Sequence, residues 1–189
     1  MSDLKGQITR AAVHKPELVA VMVGGANDAC RDTTAQMTSV ADFRSQFQDA
    51  MDTLRRKLPA AEVYVASVPN LKRLWSEGGR SNPLGKQIWK LGICPSMLGD
   101  ADALDAVADR RRQTVQDRVV AYNKVLKEVC AKDLRCRFDD NAVYDYRFGT
   151  GQLSRWDWFH PPAATARPSW RRSPTASSPR RTRDLGCAA

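Results

Sequence analysis

Two short stretches, far apart in the chain, hold the side chains best suited to chemistry. Trp156-Asp157-Trp158-Phe159-His160-Pro161 places a carboxylate three residues before an imidazole, inside an aromatic cluster. A carboxylate at that spacing can accept from one ring nitrogen, fix the tautomer, and leave the other nitrogen free as a general base. Far upstream, Leu18-Val19-Ala20-Val21-Met22-Val23 leads into Gly24-Gly25-Ala26-Asn27-Asp28. The apolar, β-branched run predicts a strand buried on both faces inside a parallel sheet. The glycine pair allows a sharp turn and a close backbone approach, so Asn27 and Asp28 emerge at the carboxyl end of that strand, where open α/β sheets bind their ligands. A plainer alternative is an Asx-turn in which both side chains only satisfy the local backbone.

The elements that must position these stretches follow from periodicity. Asp3–His14 reads as a short helix ended near Lys15-Pro16. His14 falls at its end, with no partner motif. Val40–Leu58 has apolar residues at Val40, Phe43, Phe47, Met51, Leu54 and Leu58, a helical stripe with Thr38 or Ser39 as N-cap and Pro59 as its stop. Glu62–Val68 reads as the next strand, giving a right-handed strand–helix–strand unit from Leu18 to Val68. Leu71–Asp100 shows no clean period and is read as a long loop, either a cleft wall with Trp75 and Trp89 as contacts or an ordinary insertion. Ala101–Cys130 reads as a helix on Val115, Val119, Tyr122, Leu126 and Val129, with Arg110, Arg111 and Arg112 as a solvated charge run. Cys136–Phe138 suits a short strand, and Asn141–Phe148 alternates beside the Asp-His segment.

Gly25-Ala26-Asn27-Asp28 followed, more than a hundred residues later, by Asp157-x-x-His160-Pro161 resembles two sequence blocks of the SGNH (GDSL-type) serine hydrolases. Asn27-Asp28-Ala29-Cys30 and Gly92-Ile93-Cys94-Pro95-Ser96 are similar to the secreted actinobacterial lipase/esterase branch. The resemblance implies an α/β fold, a three-layer, flavodoxin-like arrangement with a parallel sheet between helices. It implies acyl-ester hydrolysis by a serine nucleophile, with His160 as base, Asp157 as its orienter and Asn27 as an oxyanion-hole donor. It also implies disulfides Cys30–Cys94 and Cys130–Cys136, with Cys187 unpaired; spacing alone equally allows five free thiols.

The family's first block, Gly-Asp-Ser-Leu or a close variant, and the glycine of its second block have no counterpart in this sequence. Residues 1–10 resemble text that follows the second block, so the expectation is a domain that lacks the first, nucleophile-bearing strand, with the catalytic serine outside this chain. Ser2 sits at a terminus, Ser67 ends a strand, and Ser154 lies in the loop before the Asp-His pair. None has the glycine-flanked turn that exposes a nucleophile. The alternative is a catalytically inactive fragment or remnant of such an enzyme.

Composition sets the remaining bounds. The chain has 189 residues and a net charge of +9, of which the segment 163–189, with six arginines against Asp184, accounts for +5. The expected organisation is an SGNH-like domain over 1–162 and an Arg/Ser/Pro-rich disordered tail over 163–189, as though the reading frame shifted after His160-Pro161-Pro162. No nucleic-acid-binding module accompanies the charge, so nucleic acid is not an expected partner. Two histidines and no Cys-x-x-Cys exclude an expected metal site. No apolar stretch reaches the roughly 20 residues of a membrane span. The expectation is a monomer without cofactor, secreted by resemblance, acting on a small-molecule or lipid ester.

Overall fold

The structure is a computed structural model that describes residue 1, residues 3–81 and residues 83–160. Ser2, Pro161-Pro162, Trp170, Cys187 and the whole 163–189 tail lie outside the described residues, as does the expectation of disorder placed on that tail.

Among the described residues three parallel strands, β1 (Leu18–Met22), β2 (Glu62–Ala66) and β3 (Cys136–Phe138), form one sheet in the order β1-β2-β3. Leu18 pairs with Glu62 and Met22 with Ala66; Val63 pairs with Cys136 and Val65 with Phe138. Helix α1 (Leu4–Ala12) precedes β1, α2 (Val40–Lys57) crosses from β1 to β2, and α6 (Ala106–Cys130) leads back to β3. This is the expected α/β architecture, a parallel sheet flanked by helices. Helix α2 starts at Ser39, whose hydroxyl accepts from the Asp42 N–H, and its stripe of Phe43, Phe47, Met51 and Leu54 is buried. Helix α6 starts at Asp105, whose carboxylate accepts from Val107 and Ala108 N–H. Phe43 of α2 stacks on Tyr122 of α6 at 4.0 Å between ring centroids, so the two helices close over Val21, Val63 and Val65 in a single core.

The strand at Leu18 is not buried on both faces, contrary to the sequence expectation. Leu18 and Met22 are 64% and 65% exposed, and Ala20 and Tyr64 beside them are exposed too. Side chains alternate across a strand, so Val19, Val21, Val63 and Val65 face the helices while the opposite face stays open among the described residues. Among the described residues β1 is also an edge strand, paired only with β2.

Leu71–Asp100 is not a loop. It forms α3 (Leu71–Ser81), α4 (Pro83–Trp89) and α5 (Pro95–Leu98). Asn70 accepts from the Arg73 N–H at 2.9 Å as a cap, and Leu71, Leu74 and Trp75 give α3 one apolar face. Gly78-Gly79 and Pro83 interrupted the pattern without preventing the helices. The Arg110–Arg112 run is likewise not simply solvated. Arg112 is 1% exposed, donates to the carbonyls of Ala103 and Asp100 at 2.8 Å, and stacks over Trp75 at 4.1 Å. Arg111 donates to the carbonyls of Pro95 and Gly99. These two guanidiniums bind the 95–103 segment to α6. The alternating segment after β3 is a short helix, α7 (Ala142–Asp145).

Both disulfides are present. Cys130–Cys136 joins the end of α6 to β3, and Cys30–Cys94 joins the segment after β1 to the start of α5.

A left-handed backbone position in close contact with the core lies at Gly24, which has φ +92°. A Cβ there would stand 3.0 Å from both Phe43 and Val68. Gly24→Ala is expected to destabilise the fold by roughly 1–3 kcal/mol, read as a lower urea midpoint at unchanged slope.

Candidate active site

At the carboxyl end of β1 the chain turns at Gly24 and forms one wide turn over Gly25–Ala29, closed by Ala29 N–H to Gly24 O at 3.2 Å and Cys30 N–H to Gly25 O at 3.0 Å. The turn presents Asn27 outward and Asp28 inward. Asn27 is exposed, and its side-chain amide makes no hydrogen bond among the described residues. Asp28 is 2% exposed and accepts from Thr38 Oγ1 at 2.8 Å and from the Met1 amine at 2.9 Å through both oxygens. Asp28 therefore anchors the turn, while Asn27 keeps its donors available.

Two further ties hold the turn. The Cys30–Cys94 disulfide links its end to α5. Ser96 of α5 donates its hydroxyl to Ala29 O at 3.1 Å and accepts from the Arg31 N–H at 3.2 Å. On the other side, burial pushes the Tyr122 phenol up to about 12, so its hydroxyl stays protonated and donates to Thr38 O.

The second half of the site is a compact loop, residues 153–160. Ser154 N–H donates to His160 O at 2.7 Å and Trp158 N–H donates to Ser154 O at 2.8 Å, closing the loop on itself. Asp157 Oδ1 accepts from the backbone N–H of Phe159 and of His160, each at 3.0 Å, and Oδ2 lies 2.7 Å from His160 Nδ1. Partial burial raises the Asp157 carboxyl, but the His160 ring and the two backbone donors outweigh it and hold the group below its ordinary value. The ionised carboxylate fixes the proton on Nδ1 and leaves Nε2 as the basic nitrogen. Helix α4 backs this loop: Trp89, 2% exposed, donates Nε1 to Trp158 O at 3.2 Å, and Gly85 leaves room for the Trp158 ring.

Asn27 and His160 line one cavity of about 760 Å³. Leu71 and Leu74 of α3, together with Phe148, Leu153 and Phe159, form much of its apolar wall. No serine lines it among the described residues. Ser67 is buried and donates to Asp139 at 2.8 Å, and the Ser154 hydroxyl accepts from Trp156 N–H at 3.2 Å. Trp75 and Trp89, cleft contacts on one of the two readings of their segment, do not line the cavity. Trp75 donates to Ala101 O and lies beneath Arg112, and Trp89 supports the His160 loop from behind. His14 is exposed and away from the cavity.

Sequence reasoning missed Thr38, Arg31 and the Leu71, Leu74, Phe148 and Leu153 wall. The wall had a faint signal, the i, i+3 spacing of Leu71 and Leu74, hidden in a segment read as loop. Thr38 gave none beyond its role as a possible cap.

A family model described as GDSL-like Lipase/Acylhydrolase matches residues 1–167. The chain belongs to that family. No curated protein and no solved structure matches it. Membership of the GDSL-like lipases and acylhydrolases carries ester hydrolysis as the general activity and small ester molecules as the substrates.

Asp157 gives the site a pH signature. A carboxyl held below its ordinary value of 3.8 contributes stability that is complete above that value and is lost as pH falls through the lowered one. With the imidazole in its neutral form, ¹⁵N NMR of His160 is expected to show Nδ1 protonated and Nε2 bare. Asp157→Ala is expected to give a mixture of tautomers, and an unchanged spectrum would show that the carboxylate does not fix the ring.

Proposed function

We propose that this chain is the base-and-oxyanion portion of a Ser-His-Asp acyl-ester hydrolase whose serine is supplied from outside the residues present. His160 is the general base, Asp157 orients it, and the Asn27 amide donates to the developing oxyanion. The observation that carries this reading is that an imidazole tied through Nδ1 to Asp157 shares one cavity with an asparagine amide that has no hydrogen-bond partner among the described residues. Deleting one oxyanion donor typically costs roughly 3–4 kcal/mol of transition-state stabilisation.

In this mechanism an incoming serine hydroxyl would lose its proton to His160 Nε2 as its oxygen attacks the ester carbonyl. The tetrahedral oxyanion would face Asn27, and the imidazolium, stabilised by Asp157, would return the proton to the leaving alkoxide. Water would then repeat the sequence on the acyl-enzyme. A serine from elsewhere is favoured because the described residues lining the cavity include none and because Ser67 and Ser154 are bonded within the fold. The same observation favours the second reading, a remnant that binds but does not turn over.

The two disulfides support an oxidising, extracellular setting, and the apolar wall supports an ester with a hydrocarbon part. The domain is taken to span 1–162, with 163–189 as a tail, acting as a monomer.

The test is hydrolysis of p-nitrophenyl butyrate by the chain as it stands and by the same chain extended upstream by its own coding sequence through an in-frame Gly-Asp-Ser. The extended protein is expected to turn over and to lose activity by about 10³-fold or more on His160→Ala, while the unextended chain stays at background. Turnover by the unextended chain that His160→Ala leaves unchanged would overturn the assignment. An upstream region without such a serine would favour the remnant.

A further inference from the structure

Ester hydrolysis leaves one charge in the cavity without a task. Among the charged groups lining it, Asp28 meets the Met1 amine, Asp3 meets Arg10 at 3.1 Å, and His160 meets Asp157. Arg31 lines it as well, and among the described residues no carboxylate lies within ion-pair distance of its guanidinium. That guanidinium makes one long hydrogen bond, Nη1 to Asn27 O at 3.4 Å. Arg31 therefore stands against the Asn27 turn with most of its donors unused among the described residues, next to the Asn27 side-chain amide, which is unused there as well.

The rest of the cavity is of opposite character. Leu71 and Leu74 come from α3, and Phe148 and Leu153 flank the 150–152 turn that packs against α3. The apolar wall is therefore continuous across two elements. A cavity of about 760 Å³ with such a wall and a few polar groups is the size and make-up of a small-ligand site. Arg31 is an exposed residue of this lining, so its charge meets an anion that enters the cavity from solvent.

We propose that the cavity binds a single-chain amphiphile with an anionic end, an alkyl carboxylate, held at its carboxylate by Arg31 and the Asn27 amide and along its chain by Leu71, Leu74, Phe148 and Leu153. Arg31 is then the residue that selects an anionic ligand over a neutral one of the same length. The proposal rests on the same cavity being the ligand site as in the hydrolase reading, but it requires no nucleophile and no turnover.

The test is isothermal titration of the full chain with decanoate and with decan-1-ol at neutral pH. Decanoate is expected to bind at least about tenfold more tightly, the scale of one charge-assisted hydrogen bond. Arg31→Gln is expected to erase that preference while leaving decan-1-ol affinity unchanged, and Leu74→Ala to weaken both ligands. Equal affinities for the two ligands, or a preference that survives Arg31→Gln, would overturn the proposal. Failure of the hydrolase reading shows in ester turnover and leaves these titrations unaffected, so the two are told apart.

Discussion

A parallel strand must end by turning its chain over the edge of the sheet, and at Gly24 that turn is made with no room for a side chain. The left-handed backbone sits 3.0 Å, at its would-be Cβ, from Phe43 of the crossover helix and from Val68 beyond β2. Both neighbours belong to the core, so the turn cannot relax outward without opening it. The direction of Asn27 starts from this packing and is held by the ties of Asp28, Cys30 and Ser96. The wide Gly25–Ala29 turn follows from it, Asp28 is driven inward to Thr38, and Cys30 is brought to Cys94. Asn27 is left as the outward position.

The His160 side is built on a different principle. A single carboxylate, Asp157, accepts from two backbone donors and meets the imidazole, so one ionised group sets both the loop's shape and the ring's tautomer. Such charge-assisted bonds are about twice as strong as neutral ones, which suits a loop with few core contacts of its own. Trp89 and Gly85 of α4 support it from behind. The Asn27 and His160 halves are far apart in sequence, and they meet because both emerge at the carboxyl edge of the sheet.

Much of this was legible from residue order. The strands at Leu18 and Glu62, the stripe of α2, the body of α6 and the Asp157-x-x-His160 pairing rest on local patterns of period two or near 3.6, or on fixed short spacings, and these survive into the fold. The missed features depend on partners distant in sequence. Leu18 and Met22 are exposed because β1 lies at an edge with one face open, which no run of apolar residues reveals. Arg112 is buried because the carbonyls of Asp100 and Ala103 and the face of Trp75 replace its water. The helices of 71–98 form despite glycine and proline because tertiary packing overrides weak propensity. That Arg31 has no carboxylate within ion-pair distance among the described residues shows only once the cavity exists.

We propose that this chain holds a base, His160, and an oxyanion donor, Asn27, without an activated serine. Intact-mass analysis after treatment with a fluorophosphonate, which modifies serines activated by a neighbouring base, tests it most directly. The account predicts no adduct on the 189-residue chain and a single adduct, abolished by His160→Ala, once an upstream Gly-Asp-Ser segment is restored. A stoichiometric adduct on the unextended chain would contradict it and would place the nucleophile among the serines already present.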